Sequence, residues 1–426
     1  VTDASILDDL AARGLIHDST DAAALRARLE TGTITVYSGF DPTADSLHAG
    51  NLVPLLVLRR FQDAGHRPIA LAGGATGMIG DPSGRSDERN LLDDEVLGRN
   101  VEAISAQLGR ILDFGSGPTG ACLVDNRTWT SPISVLEFLR DVGKHFTVNA
   151  MMGKESVRSR LDSKSGISFT EFSYMLLQAN DYLWLNRNEG CELQIGGSDQ
   201  WGNITAGIDL IRRSTAVHVH GLSFPLLLRS DGQKFGKSAD GAVWLDPART
   251  SPYAFYQYWM NVDDRDVERF LLQMTLLPVD EARSVAAGHA QAPERREGQR
   301  RLALEVTALV HGEDQAGAAM AASQVLFGGD PTEADAGAFV MLAAELGPLE
   351  IPPEIDHGAL DALDLVMASG LATSRSDARR GFEAGEFSLN GRRVGANDQA
   401  GAGDLLHGRY LLVRRGKKRY ALLESR

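Results

Sequence analysis

Cysteine is almost absent: Cys122 and Cys191 are the only two in 426 residues, far apart and without a Cys or His neighbour at metal-ligand spacing. That excludes a disulfide framework and a structural zinc site, and each thiol reads as a small buried apolar residue. No apolar run approaches the roughly 20 residues that span a bilayer. The first ten residues are acidic and carry neither a basic n-region nor a signal-like apolar block, so a cytoplasmic location is the expectation. Internal repeats and low-complexity tracts are missing too, which removes solenoids and fibrous classes. An excess of positive charge is also lacking. The net charge is −14, which on its face argues against a nucleic-acid partner.

That average conceals a segregation. Residues 361–426 hold 12 Lys+Arg against 8 Asp+Glu, a balance of +4, whereas residues 1–360 hold 31 against 49, a balance of −18. A basic tail on an acidic body fits a small appended module that touches phosphates, and scattered solvated charge explains it less well. At 426 residues two or three domains are expected.

The N-terminal half alternates strand and helix signals. Strands are predicted at Thr33–Tyr37, Pro68–Leu71, Ala121–Val124, Glu192–Ile195 and Ala216–Val219. Leu52 to Phe61 has helical apolar spacing, with Gly65 where a C-terminal glycine belongs. The pattern implies a parallel, doubly wound, Rossmann-like α/β sheet. After about residue 240 the signals turn helical: an aromatic stretch at 251–260, then helices predicted over 266–272, 280–289 and 295–310. Gly347-Pro348-Leu349-Glu350-Ile351-Pro352-Pro353 reads as a linker. In the last segment Ser374 and Asp377 form a capping box that opens a helix bearing Arg375, Arg379 and Arg380. Asn390-Gly391 is a hairpin signal followed by Arg392 and Arg393.

Two stretches suit phosphate chemistry. At the first strand-to-helix junction, Tyr37-Ser38-Gly39-Phe40-Asp41-Pro42-Thr43 leads to His48-Ala49-Gly50-Asn51. A helix N-terminus concentrates unpaired N–H groups and partial positive charge, a histidine there can donate to a phosphate oxygen, and Gly50 admits a nucleotide close to the backbone. Alone this equals a histidine capping a helix. The second is Lys234-Phe235-Gly236-Lys237-Ser238, whose lysines are mobile charges able to close over a polyphosphate, although a solvated basic loop is the usual fate of such a run. A third stretch, Glu171 to Tyr182, sets Tyr174, Gln178 and Asp181 at i, i+4 and i+7, within an arc of roughly 60° on a helix. Tyr, Gln and Asp form a good set for lining a polar pocket.

The co-occurrence of H-x-G-N and K-x-x-K-S in one Rossmann-like chain resembles the two signatures of class I aminoacyl-tRNA synthetases. The 171–182 stretch is similar to the tyrosine-binding helix of tyrosyl-tRNA synthetases, and the C-terminal segment resembles the RNA-binding module first known from ribosomal protein S-four. The resemblance implies that Thr43, His48, Lys234 and Lys237 act in catalysis. It implies that Asp181 and Tyr37 bind the substrate phenol, that Tyr174, Gln178 and Asp81 hold its ammonium, and that Gln194 and Gln200 border the substrate and its carboxylate. Gly39, Asp41, Gly50, Asn51, Gly196, Gly197, Asp199, Lys237 and Ser238 would receive ATP, with Asp199 on the ribose. Arg375, Arg379, Arg380, Arg392 and Arg393 would meet RNA. Asn51, where the motif often has histidine, Pro54 early in the helix, and Arg85 and Arg89 in place of lysine depart from the common pattern.

The expected organisation is a catalytic domain over 1–225, the KFGKS loop and a helical anticodon-binding domain over 226–345, a linker over 346–358 and the RNA module over 359–426. The resemblance implies tyrosine–tRNA ligation with L-tyrosine, ATP with Mg2+ and tRNA(Tyr) as reactants. It implies no tightly bound cofactor, no protein metal site, no membrane partner and a homodimer. Three rivals stand beside it: a tryptophan-specific sister synthetase, a catalytically inactive RNA-binding descendant, and a small-molecule nucleotidyltransferase. The Tyr37/Asp181 pair and the C-terminal module weigh against the first, the intact His, Lys and pocket residues against the second, and the C-terminal domains against the third.

Overall fold

In a computed structural model of the chain, residues 5–83, 93–161, 166–228, 230, 235–238, 241–352 and 360–425 are described. They divide into two compact units, Val1–Thr250 with Asn261–Leu302, and Ser251–Met260 with Ala303–Arg426. The 226–345 stretch, expected as one loop-plus-helical domain, thus contributes to both.

The first unit is organised by a sheet of six strands among the described residues: β1 (Asp18–Ser19), β2 (Thr35–Phe40), β3 (Arg67–Ala72), β4 (Cys122–Asp125), β5 (Cys191–Gly197) and β6 (His220–Phe224). Their order is β1-β6-β5-β2-β3-β4, parallel throughout except for β1, which runs antiparallel to β6. The chain builds outward from β2 through β3 to β4, then returns to β2's other edge for β5 and β6. The order therefore reverses between β2 and β5, and a crevice opens at their C-terminal ends.

The helix after β2, α1 (Leu52–Asp63), buries Leu52, Leu55, Leu56, Val57, Leu58 and Phe61. It ends at Ala64, and Gly65 follows at φ +89°, the left-handed position expected of it. Pro54 is the third helical residue, where the N–H has no helical partner to lose, so the ring does not break the helix. The long helix α2 (Phe169–Glu189) carries the polar stripe and ends at Gly190 in the left-handed region.

One predicted strand was misplaced. Residues 216–219 are loop, and the strand is His220–Phe224. The preceding helix, α3 (Trp201–Thr215), closes on Ala216 at φ +58°, a conformation incompatible with starting a strand there. The two-residue strand β1 had no period-two pattern and went unpredicted. The reading of both thiols as buried holds for Cys191, whereas Cys122 is only half-buried.

In the second unit, helices Pro252–Met260, Glu313–Leu326 and Ala336–Leu346 precede a five-stranded sheet. Its strands are β9 (Leu349–Glu350), β11 (Phe387–Leu389), β12 (Arg392–Arg393), β14 (Tyr410–Arg415) and β15 (Arg419–Glu424), while β10 (Leu360–Asp361) and β13 (Gln399–Ala400) pair separately. The hairpin forms as predicted: Asn390 at φ +46° and Gly391 at φ +83° join β11 to β12. The stretch read as linker is partly structural, since Leu349–Glu350 pairs in parallel with β15 and Ile351 is buried in that sheet's core.

The N-terminus of α2 is fixed by an ion pair between Arg160 and Glu171 at 2.7 Å, with only 2% and 3% of the two side chains exposed. Removing one member of such a buried pair strands the other charge. Arg160→Met should cost about 3–5 kcal/mol in urea unfolding. An unchanged midpoint would show that Glu171 is not held as described.

Candidate active site

The crevice is a cleft of about 410 Å³. β2 contributes Tyr37 and Gly39, with Asp41 just beyond it; β5 contributes Gly196 and Gly197, followed by Asp199 and Gln200; α2 contributes Tyr174, Gln178 and Asp181. His48, Gly50 and Asp81 complete the set of sequence-nominated residues that line it, together with Thr76, Ser83, Pro54 and Phe235.

Asp181 is 2% exposed, and each of its oxygens accepts one hydrogen bond, from Asn126 Nδ2 at 2.9 Å and from Trp129 Nε1 at 2.8 Å. Burial raises its pKa to about 7, ahead of the opposing pull of those two donors. Tyr37 is 1% exposed, and its hydroxyl has no hydrogen-bond partner among the described residues. Burial, and secondarily the nearby Asp181, pushes its pKa well above the usual phenol value. A buried hydroxyl without a partner costs free energy, so this end of the cleft is suited to receiving a polar group.

Nearer the sheet edge, Asp81 accepts from Gln200 Nε2 at 2.7 Å and from the Ser83 N–H at 2.9 Å. Tyr174 donates to both Asp41 oxygens at a long 3.4 Å, and Thr76 Oγ1 lies 3.3 Å from Asp41 Oδ1. Gln178 Oε1 is buried without a partner among the described residues. Carboxylates and amide oxygens so arranged favour an ammonium group.

His48 caps the turn that leads into α1. Its Nδ1 accepts from the Gly50 N–H at 3.0 Å, and the His48 backbone N–H donates to Asn51 Oδ1 at 3.0 Å. A side chain on Gly50 would put Cβ 2.9 Å from the His48 ring, so the ring folds back only over glycine. Asn51 therefore serves as the acceptor of a capping box.

Other nominated residues lie elsewhere. Thr43 is exposed, its N–H donating to the Asp41 carbonyl at 2.9 Å. Gln194 is buried on β5, behind the lining, with Oε1 lacking a partner among the described residues. Lys234, Arg85 and Arg89 fall outside the described residues, as do the side chains of Lys237 and Ser238, whose backbone forms strand β7 (Lys237–Ser238) paired with β8 (Gly241–Ala242). In the second unit Arg379, Arg392 and Arg393 are exposed, Arg375 pairs with Asp364, and Arg380 stands 4.0 Å from Asp377.

Sequence reasoning missed Asn126 and Trp129. Asn126 Nδ2 also donates to Thr76 Oγ1 at 3.0 Å, and its Oδ1 accepts from the Ala75 N–H at 2.7 Å, while Trp129 stacks on Trp184 at 4.1 Å. The available signal was position: polar residues directly after β4, at the same sheet edge as the crevice.

Comparison with known proteins gives the family. Residues 29–328 match the family model described as tRNA synthetases class I (W and Y), and residues 352–423 match the tyrosine–tRNA ligase SYY-like C-terminal domain. The tyrosine–tRNA ligase of Opitutus terrae is 53% identical over 422 residues, covering 99% of each chain. The chain belongs to the tyrosine–tRNA ligase family of class I aminoacyl-tRNA synthetases. The tyrosine–tRNA ligase of Roseiflexus castenholzii is 49% identical over 98% of this chain and 99% of its own. Among solved structures, a C-terminally truncated mitochondrial tyrosyl-tRNA synthetase from Aspergillus nidulans matches with a TM-score of 0.68 and 33% identity, over 76% of this chain and 94% of that one. A tryptophanyl-tRNA synthetase from Encephalitozoon cuniculi shares the fold at 13% identity and a TM-score of 0.55, over 72% of this chain and 86% of its own. Enzymes of this family join tyrosine to tRNA with ATP as co-substrate.

The Asp181 carboxyl generates a prediction with two opposite slopes. Between its ordinary pKa of 3.8 and about 7, the folded chain holds a proton that the unfolded chain has released, so this group's contribution to stability falls as pH rises through that window. Asp181→Asn should remove that slope and raise the Tm at alkaline pH. A ligand phenol that donates to the ionised carboxylate, tyrosine's included, should instead bind more tightly to the unsubstituted chain as pH rises through about 7. Thermal melts and tyrosine binding across pH read both, and parallel slopes would contradict the assignment.

Proposed function

We propose that the cleft at the β2–β5 reversal activates L-tyrosine with ATP, and that the tyrosyl group then passes to the 3′ end of tRNA(Tyr). The observation that carries this reading is the buried Asp181–Tyr37 pair, a chargeable carboxyl beside an unpartnered phenol at the closed end of a cleft whose other end meets a helix N-terminus. The substrate phenol docks on that pair. Asp81, Tyr174 and Gln178 take the ammonium, and Gln200, with Gln194 behind it, borders the carboxylate. ATP enters as its Mg2+ complex and lies along Gly39, Asp41, Gly50, Asn51, Gly196 and Gly197, with Asp199 on the ribose.

In the first step a tyrosine carboxylate oxygen forms a bond to the α-phosphorus as the bond to the β-phosphate oxygen breaks, giving tyrosyl-adenylate and pyrophosphate. A ribose hydroxyl of the terminal adenosine then attacks the carbonyl, and AMP leaves. No side chain need become a covalent nucleophile, since positioning and charge stabilisation suffice. Thr43, His48, Lys234, Lys237 and Ser238 stabilise the transferring phosphates. Arg375, Arg379, Arg380, Arg392 and Arg393 make the RNA-facing set of the 359–426 module, with the 226–345 helices reading the anticodon. The cytoplasm is the compartment where these reactants meet.

The chain works as a homodimer. Helix Val135–Asp141 buries none of its residues, and Val135, Leu136 and Phe169 stand 74%, 80% and 78% exposed. Apolar surface of that kind supports a protein partner, and the family resemblance supports a second copy.

Pyrophosphate exchange into ATP, run separately with tyrosine, tryptophan and phenylalanine, should proceed with tyrosine and only feebly with phenylalanine, which leaves the Tyr37 hydroxyl unpartnered and gives Asp181 no donor beyond Asn126 and Trp129. The direction follows from general specificity arguments, for which tyrosyl-tRNA synthetase is itself a standard example. In the same assay His48→Ala should lower kcat and leave the tyrosine KM nearly unchanged. Tyrosine-independent exchange, or none, would sink the reading. Leu136→Asp should shift the mass measured by light scattering from two chains to one, and a monomer before substitution would refute the dimer.

A further inference from the structure

The two phosphate-binding motifs are joined by a short ladder that neither motif contains. The Ala49 N–H donates to the Val243 carbonyl and the Leu245 N–H to the Leu47 carbonyl, both at 2.8 Å. His48 and Trp244 are thereby antiparallel partners. Because the two bonds flank the pair rather than join it, this is the closer-spaced type of antiparallel position, and both side chains leave the same face of the ribbon. Their rings stand 6.4 Å apart, tilted by 59°. The ladder continues toward the KFGKS motif, since the Val243 N–H donates to the Gly236 carbonyl at 2.9 Å. Gly236 sits at φ +86°, and a Cβ there would lie 2.9 Å from the Gly50 nitrogen.

Trp244 is itself braced. The Arg249 guanidinium lies 4.5 Å from its ring centroid and pairs with Asp45 at 2.5 Å. The Trp244 backbone N–H donates to Thr250 Oγ1, and the Asp246 backbone N–H to Ser46 Oγ, at 3.0 and 3.1 Å. Asp45 and Ser46 thus tie the approach to His48 to the segment that follows KFGKS. An aromatic face under a cation, on a backbone hydrogen-bonded to its neighbours, is a stiff surface against which to set an imidazole.

We infer that Trp244, held by Arg249, is a positioning residue that sets the His48 imidazole and its distance from the Phe235–Gly236 backbone for the activation step. The inference rests on the proposed role of His48 at the phosphates. Trp244 touches no reactant in this account, so its removal acts on turnover through His48 and not on tyrosine affinity.

The test is a double-mutant cycle in tyrosine-dependent pyrophosphate exchange using the full chain. Trp244→Ala should lower kcat by roughly tenfold or more with the tyrosine KM held within about twofold, and Trp244→Phe should restore most of the loss. In a His48→Ala background, Trp244→Ala should add almost nothing, the mark of two residues acting as one unit. Arg249→Met, which leaves the ladder intact, should lower kcat in the same direction and be equally silent beside His48→Ala. It decides the question if Trp244→Ala fails to fold. Additive losses would overturn the link between Trp244 and His48, as would a raised tyrosine KM with kcat intact. Full turnover in His48→Ala itself would overturn the underlying role of His48, which is a different result.

Discussion

The cleft depends on a single constraint of chain order, the reversal between β2 and β5. Right-handed crossovers send α1, after β2, and α3, after β5, to opposite faces of a parallel sheet. The two strands therefore end side by side with their following segments diverging, and the gap cannot be closed by either helix. The cleft lining is grouped around that gap: Tyr37 and Asp41 from one lip, Gly196, Gly197 and Asp199 from the other, and α2 laid alongside with Tyr174, Gln178 and Asp181. Replacing β5 by a strand that continued the β2-β3-β4 progression would keep a sheet and lose the site.

In the cleft and behind its lining, polar groups are buried further than a merely stable protein would bury them. Tyr37 Oη, Gln178 Oε1 and Gln194 Oε1 lack partners among the described residues. Asp181 carries a burial penalty that two good hydrogen bonds do not cancel. Each unpaired group of this kind costs about 1–3 kcal/mol. The neighbouring structure is correspondingly over-determined. Asn126 spends three hydrogen bonds on Ala75, Thr76 and Asp181, Trp129 is stacked on Trp184, and the Arg160–Glu171 pair fixes the start of α2. Polar burial at the Asp181–Tyr37 end is held by rigidity behind it, which is how a pocket can discriminate between a phenol and a phenyl ring.

Much of this was legible in the sequence where a local rule acts alone. The α1 boundary, Gly65, the Asn390-Gly391 turn and the polar stripe at 174, 178 and 181 follow from periodicity and backbone sterics, and the structure keeps them. The sequence failed where tertiary contacts decide. Ala216 to Val219 has β-branched residues and reads as a strand, but the left-handed end of α3 displaces the strand to His220–Phe224, where Leu222 and Phe224 reach the core. Asn126 and Trp129 were invisible because their partner, Asp181, lies more than fifty residues away. Trp244 was invisible for the same reason: only the ladder shows that it stands opposite His48.

At His48, capping and the proposed role at the phosphates are compatible and not alternatives. On that proposal the two would use the same ring, by different nitrogens. Nδ1 accepts from the Gly50 N–H, so a neutral imidazole in this position carries its proton on Nε2. The cap thus selects the tautomer that can donate to an anionic oxygen, and the ring reaches this geometry only because Gly50 lacks a Cβ. A histidine without the cap would be free to present either nitrogen, and half of those states would offer a lone pair to a phosphate. The spacing H-x-G is then explained by the hydrogen bond itself. Glycine two residues on supplies both the N–H that fixes the tautomer and the room for the ring to reach it, and Asn51 in place of histidine completes the cap from the other side.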